Sequence, residues 1–471
     1  MQVKKRIAIT ISFSFSIRYI IRTGLLEQIK TFAEPVICIF WNQEDLIKEL
    51  QDKGFEVHLI AESVKSNEYA NLRYKLDYWF RYFELKSYSK NFEPRYLEKF
   101  KPLKKVIKNR LREYFNVFKL YIPGYLFQLQ SLEKKLLQTD TNYNEMIDLV
   151  QRLHIDAVFS VTPFHTQEDV FLRAAKASNK KMITSILSFD NIVKRGWIPV
   201  NYDCYMVWNK YNDAELRRIY TEAIIQNDAN ITIVGAPQFD FYKKEEYLLS
   251  REAWLQLVGL PITDRKIILY AGGPVSLFPQ EPQFLQHIVE ALENGLIKGN
   301  PIILFRCHPI DTIERWKKVI LSSEYVYFDL SWTGNSKLTY ANITDQDIMK
   351  LCSTLHFTDI HVNVASTMTI DGSAYHKPQI CPAYDELYPN ELHALAGFYT
   401  QEHYSYTTKT GGITLAKNRK ELIYCINDAL QHPENYINKC NDVVKEVITF
   451  TDGKCTERVL AVLQKEVENI A

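Results

Sequence analysis

The stretch Arg265–Pro274, RKIILYAGGP, sets five apolar residues in a row, Ile267 to Ala271, and ends them on paired glycines. A short run without alternation reads as a strand buried on both faces, the kind a parallel sheet uses. The chain beyond it repeats the pattern. PQFLQHIVEALENGLI (282–297) has helical spacing, PIILFRCHP (301–309) is another apolar run, EYVYFDL (324–330) a third, and DIMKLCSTLHF (347–357) a helix. IHVNVAS (360–366) and KPQICPA (377–383) are further strands, with TMTIDGSAYH (367–376) opening a helix between them, and the chain from Lys417 onward reads as helical. Strands alternating with helices at this interval predict a doubly wound parallel sheet.

The first half uses the same alternation. RIAITISFSF (6–15), PVICIFW (35–41), FEVHLI (55–60), IDAVFSVTP (155–163), KKMITSILSFDN (180–191), CYMVWN (204–209) and NITIVGAPQFD (230–240) read as strands, with IRYIIRTGLLEQIK (17–30) as a helix. The prediction is an α/β chain of two Rossmann-like doubly wound domains facing across a cleft, divided near Gly235-Ala-Pro237 into 1–238 and 239–471. A helical insertion at about 68–150 interrupts the first. Between residues 73 and 119 it holds 14 Lys and Arg against 5 Asp and Glu, interleaved with Tyr74, Tyr78, Trp79, Phe80, Tyr82 and Phe83.

With 471 residues and a net charge of +1, the chain has material for two full cores and no global field that would draw nucleic acid. Eight cysteines, none in CxxC spacing, point to reduced thiols in a cytoplasmic protein rather than structural zinc. The N-terminus does not read as a signal peptide, and no apolar stretch is long enough for a transmembrane helix.

In open α/β sheets ligands bind beyond the carboxyl ends of the strands. In the second half those ends deliver Gly272, Gly273 and Ser276; then Arg306, Cys307 and His308; then Ser366, Thr367 and Thr369. Glycine amides, hydroxyls at a helix start and charge-assisted donors from His and Arg together describe a phosphate cradle. Each element alone also reads as a turn or a cap. Asp371 either accepts from a sugar hydroxyl or favours the helix dipole.

These residues resemble those of GT-B fold glycosyltransferases, the UDP-glycosyltransferase and glycogen phosphorylase superfamily. RCHPID and DIHVNVASTMTIDGSAYHKPQI are similar to the His-Pro and Ser-Thr motifs of bacterial surface-polysaccharide enzymes, among them CDP-glycerol glycerophosphotransferases and CMP-sugar transferases. SFDNIVKRGWIP, VWNKYNDAEL, VGAPQFD and DGKCTERV extend the resemblance over roughly residues 180 to 460. It implies a nucleotide-donor domain at 239–471, an acceptor domain at 1–238, and metal-independent transfer without a cofactor. It further implies that His308, Arg306, Ser366 and Thr367 contact the donor's phosphates, with Gly272 and Gly273 lining them. The expected reaction moves a sugar from a nucleotide donor to a cell-surface glycan such as capsule, O-antigen or lipopolysaccharide. A polyol-phosphate transferase of the CDP-glycerol type and a non-catalytic nucleotide-sugar or glycan-binding protein are the alternatives.

A base must reach the acceptor hydroxyl. At the strand ends of the first half stand Asp190, ranked first, His165, ranked second, and Glu168 and Asp169, which also read as a helix start. In the insertion, Lys104, Lys105, Lys108, Arg110 and Arg112 read either as a site for recruitment to the inner face of a membrane or as a solvated helix face.

Overall fold

In the computed structural model the apolar runs form two parallel sheets. The structure describes residues 4–60, 66–83, 101–120, 122–140, 142–195, 198–220, 228–331, 341–385 and 395–470. The chain divides into two compact units: residues 1–16, 26–233 and 459–471 form the first, and residues 17–25 and 234–458 the second. Two short segments therefore lie on the far side of a simple cut at residue 238.

The first unit holds strands β1 (Lys5–Ile11), β2 (Ala33–Ile39), β3 (Glu56–Leu59), β4 (Ala157–Ser160), β5 (Lys181–Ser185), β6 (Cys204–Val207) and β7 (Asn230–Ile233) in the order β3-β2-β1-β4-β5-β6-β7. The second holds β8 (Ile267–Ala271), β9 (Ile302–Arg306), β10 (Val326–Asp329), β11 (Ile360–Asn363), β12 (Gln379–Pro382) and β13 (Thr414–Ala416) in the order β10-β9-β8-β11-β12-β13. All pairings are parallel. Each sheet starts in the middle, runs to one edge and returns to extend the other, so the order reverses between β1 and β4 and again between β8 and β11.

Burial follows position in the sheet. The central strands β4, β8, β9 and β11 are buried at every residue, whereas the edge strands β3 and β7 have none fully buried. Unbroken apolar runs were therefore readable, while β13, three residues long, carries too little pattern to be read.

Most of the helix expected at 17–30 is distributed between the units. Its first part belongs to the second unit and takes a π-helical turn at Arg18–Arg22, ended by Gly24 at φ 78°. There Arg22 donates from Nε to the Ile343 carbonyl at 2.7 Å, an anchor distant in sequence that local periodicity does not reveal.

The insertion is helical at Asn67–Phe83, Leu103–Leu120, Tyr125–Asp140 and Tyr143–Arg152; residues 84–100 and the side chains of Tyr78, Trp79, Phe80, Tyr82 and Phe83 lie outside the described set. Leu72, Leu76, Leu136, Leu137, Met146 and Val150 join the same core as the sheet. An ion-pair chain reinforces that attachment. Asp169, at the start of the helix after β4, binds Arg73 and Arg173 at 2.9 Å each, and Arg173 binds Glu133 at 2.7 Å. Asp169 is thus a structural hub rather than a candidate base.

Helix Cys455–Glu468 belongs to both units. In the second, Asp240 accepts from the backbone N–H groups of Cys455 and Thr456 at 2.9 and 2.7 Å, satisfying two of the helix's orphan donors. In the first, Val459, Leu463 and Val467 are buried and Glu466 pairs with Lys181 at 3.0 Å. The VGAPQFD and DGKCTERV blocks therefore meet: Gly235, at φ 78°, lies so close to Cys455 that a Cβ there would come within 2.7 Å of its Sγ. All eight cysteines are buried free thiols. Among the described residues no helix is long and apolar enough to cross a membrane.

Candidate functional site

In the second unit the three strand ends singled out by the sequence belong to adjacent strands, β9-β8-β11, at the reversal of strand order. Strand spacing of about 4.8 Å puts the loop after β9 roughly 10 Å from the loop after β11, with the glycine loop between them. His308 is half-buried on the loop after β9, and its Nδ1 accepts the Ile310 N–H at 3.2 Å. Ser366 is half-buried and its Oγ accepts the Met368 N–H at 3.2 Å; Thr367 and Ser276 are exposed. Between β11 and Ser366, Ala365 takes φ 33°, an uncommon backbone state for a residue with a Cβ.

Four expectations are corrected. Arg306 is buried, donates from Nη1 to Asp329 Oδ2 at 2.6 Å and from Nη2 to the Ser331 carbonyl at 2.8 Å, and Lys350 closes the other side of Asp329. Two of its donors are committed to these partners and its charge is compensated by Asp329, so an ion pair rather than a free guanidinium stands at this strand end. Thr369 is fully buried; its hydroxyl donates to Asn363 Oδ1 and accepts from Tyr404 at 2.8 Å. The glycine amides are engaged within the protein. Gly272 N–H donates to the Arg306 carbonyl at 3.0 Å and Gly273 N–H to Glu281 Oε2 at 2.8 Å.

The glycines instead answer a packing demand. A Cβ on Gly273 would fall 2.5 Å from the Phe278 ring and one on Gly272 3.1 Å from the Trp316 ring. Gly372 is tighter still, with a Cβ 2.3 Å from His361 Nδ1. Asp371, half-buried beside it, accepts from Tyr242 at 2.7 Å; burial raises its carboxyl, opposed by Arg18 from the π-helical turn and by Tyr242.

Sequence reasoning missed the residues that join these loops. Arg315 donates to the Phe278 and Gly273 carbonyls at 2.6 Å each and pairs with Asp311 at 2.7 Å; Trp316 Nε1 also donates to Asp311, at 2.9 Å. This clamp holds the glycine loop against the His-Pro loop. Its one local sign is the Asp311–Arg315 spacing of four residues. Behind it, Glu281 is fully buried, and burial pushes its carboxyl up to about 8, against the pull of Arg315 and the Gly273 amide.

The profile of the CDP-Glycerol:Poly(glycerophosphate) glycerophosphotransferase family matches residues 198–465, more than half of the chain and all three loops. The chain belongs to this family. None of the curated proteins matches significantly. Among solved structures it resembles a putative UDP-N-acetylglucosamine 2-epimerase of Listeria monocytogenes (12% identity, TM-score 0.56, covering 100% of this chain and 98% of that one). It also resembles Neisseria meningitidis UDP-GlcNAc 2-epimerase bound to UDP-GlcNAc (10%, 0.54, 98% and 100%) and Arabidopsis thaliana UGT89C1 with UDP-L-rhamnose (10%, 0.52, 99% and 100%). At these identities the likeness concerns fold, and it makes the family member a GT-B protein of two Rossmann-like domains.

In the first unit, Asp190 is half-buried at the end of the segment after β5, with Lys194 Nζ 3.4 Å away and Asn191 donating to it at 3.1 Å. The VWNKYNDAEL block holds that segment: Trp208 donates to the Ile186 carbonyl at 3.0 Å and Asn212 to the Phe189 carbonyl at 2.7 Å. Gly196 and Trp197 of the SFDNIVKRGWIP block lie outside the described residues. His165 is half-buried after β4, its ring 6.0 Å from that of Phe13.

Glu168 lies at the reversal between β1 and β4. It is fully buried and accepts from Thr10 at 2.7 Å, Ser12 at 2.5 Å, Ser160 at 2.7 Å and Thr162. Burial raises its carboxyl above the ordinary range while the four hydroxyls oppose the rise. Enclosed on this pattern, it braces the sheet and is out of reach of a substrate proton. Among the described residues no cluster of three His, Cys, Asp or Glu is placed to hold a metal ion.

Proposed function

We propose that this family member transfers a polyol phosphate, of the glycerol phosphate kind, from a cytidine diphosphate-activated donor to a growing surface polymer. The observation that carries the reading is the family match across residues 198–465. The acceptor hydroxyl attacks the donor's distal phosphorus, a new P–O bond forms, the bond to the bridging oxygen breaks, and cytidine monophosphate leaves with the electron pair. The hydroxyl proton passes to a base, for which Asp190 and then His165 are the candidates. His308 donates to the phosphate oxygen on which charge develops, and the hydroxyls of Ser366 and Thr367 hold the donor's phosphates. Asp371 accepts from a hydroxyl of the donor's sugar. No metal or further cofactor enters this scheme.

Thermal unfolding with a panel of UDP-, GDP-, CMP- and CDP-linked donors tests the reading, because a ligand that binds the native state raises the melting temperature. CDP-glycerol is expected to give the largest shift, and release of cytidine monophosphate in the presence of acceptor shows transfer. Stabilisation by a nucleotide-sugar instead, with sugar incorporated into a capsule or O-antigen acceptor, changes the transferred group to a sugar. Binding without turnover makes the protein a non-catalytic binder.

A further inference from the structure

The His-Pro loop owes its shape to the two residues that close it. Residues 307–312 connect β9 to the short helical turn Ile313–Arg315 with neither strand nor helix to hold them. Ile310 and Thr312 are exposed along this stretch, and its order comes from a few hydrogen bonds. The Asp311 side chain is fully buried and takes three donors: Arg315 Nε at 2.7 Å, Trp316 Nε1 at 2.9 Å and, on its other oxygen, the Thr312 N–H at 2.8 Å. Asp311 in turn donates its own N–H to the His308 carbonyl at 2.9 Å.

Arg315 ties this turn to the neighbouring strand. Its Nη1 reaches the Phe278 carbonyl and its Nη2 the Gly273 carbonyl, and the guanidinium lies over the Trp316 ring, 4.5 Å from its centre. That ring is fully buried, 4.4 Å from the Phe305 ring centre, and packs against Gly272 so closely that a Cβ there would come within 3.1 Å of it. A planar fork bonded to a carboxylate and two carbonyls at once is a pattern that a lysine ammonium does not copy.

The consequence falls on the imidazole. His308 Nδ1 accepts from the Ile310 N–H at 3.2 Å, so in the neutral ring the proton sits on Nε2 and that nitrogen is the donor. The bond spans the same turn that the Asp311 N–H closes. The tautomer His308 needs in order to donate to a phosphate oxygen is therefore set by residues further along the chain.

We propose that Asp311 and Arg315 are positioning residues of the transfer: they hold the His308 ring in the turn that makes Nε2 its donor, and act on the donor only through that ring. The inference rests on the role given to His308 above and adds the pair through which that role is exerted.

Release of cytidine monophosphate from CDP-glycerol, with acceptor and the full chain, is measured in Arg315→Lys and Asp311→Asn and again with each change placed in a His308→Ala background. Each single variant is expected to lower kcat roughly tenfold with the donor KM within about threefold, since the ring is misdirected while the hydroxyls that hold the phosphates are intact. In the His308→Ala background the same changes should cost less than about twofold, because residues that act through one side chain lose their effect when it is gone. A role confined to stability costs the same in both backgrounds, and that result overturns the proposal; so does an unchanged kcat in both single variants. Hydrogen exchange of the peptide spanning 307–316 reads the clamp without turnover. The amides of Ile310, Asp311 and Thr312, each hydrogen-bonded within the loop, should exchange roughly tenfold faster in either variant. Unchanged exchange overturns the clamp whatever the reaction is. A parent that releases no cytidine monophosphate, or a His308→Ala variant that releases it at the parental rate, fails the proposed function instead, and the exchange comparison alone then decides the clamp.

Discussion

Each unit buries a glutamate at the start of the helix that follows a central strand, Glu168 after β4 and Glu281 after β8, and satisfies it differently. Glu168 in the first unit is ringed by four hydroxyls from β1, β4 and their ends. Glu281 in the second accepts from the Gly273 amide and the Tyr270 hydroxyl and stands 3.4 Å from Arg315, which in turn ties together the loops after β8 and β9. In the first unit the reversal is filled by a self-contained polar knot. In the second the glutamate stands behind two loops that carry His308 and Ser276. A shared fold thus assigns bracing to one crevice and loop presentation to the other.

The largest effect that would break this contrast is at the knot. Glu168→Ala leaves four buried hydroxyls without their acceptor, and denaturant titration should show a loss of about 4 kcal/mol or more; a loss below about 1 kcal/mol would mean the knot is not structural. Arg306→Ala, which leaves Asp329 paired with Lys350 alone and the Ser331 carbonyl without its donor, is expected to cost about 1–3 kcal/mol in the same measurement. Whatever fraction folds should bind donor with unchanged affinity, and a selective loss of donor affinity at full stability would restore Arg306 to the phosphate site. His308→Ala should leave stability within about 0.5 kcal/mol, because the ring is half-buried on a loop. Its turnover should fall roughly 100-fold, measured as nucleotide release, with a smaller change in donor affinity.

The pH response of Glu281 probes the second unit's side of the contrast. Its folded carboxyl is raised to about 8 from an ordinary 4.5, so the native state holds the proton more tightly than the unfolded chain does. The associated stability is complete below the unfolded value and declines as pH rises toward 8, with a slope of at most about 1.4 kcal/mol per pH unit. Melting temperatures of the wild type and Glu281→Gln compared from pH 5 to 8.5 should diverge in that direction. Parallel curves would show that Arg315 keeps Glu281 ionised throughout.

The sheets were legible because β8, β9 and β11 are unbroken apolar runs, and only strands covered on both faces look like that. The three loops at the ends of β8, β9 and β11 were legible for the same reason, since each follows such a run directly. Arg306 misled because a cation at a strand end looks alike whether it faces a ligand or a carboxylate; its partner, Asp329, comes 23 residues later from the neighbouring strand. Thr369 misled because helix-start hydroxyls alternate between solvent and core with the turn, and Asn363 and Tyr404 claim this one. The clamp of Arg315 and the placement of residues 17–25 in the second unit depend on partners distant in sequence, beyond any local period.

The helix Cys455–Glu468 gives the contrast between the units a dimension in time. Asp240 leaves the ribosome 215 residues before the Cys455 amide it receives, an interval on the order of ten to forty seconds at ordinary rates of synthesis. Until that helix emerges, one unit lacks the apolar ridge of Val459, Leu463 and Val467 and the other keeps an unanswered carboxylate beside Gly235. Both units therefore draw on the same late segment to complete part of their packing.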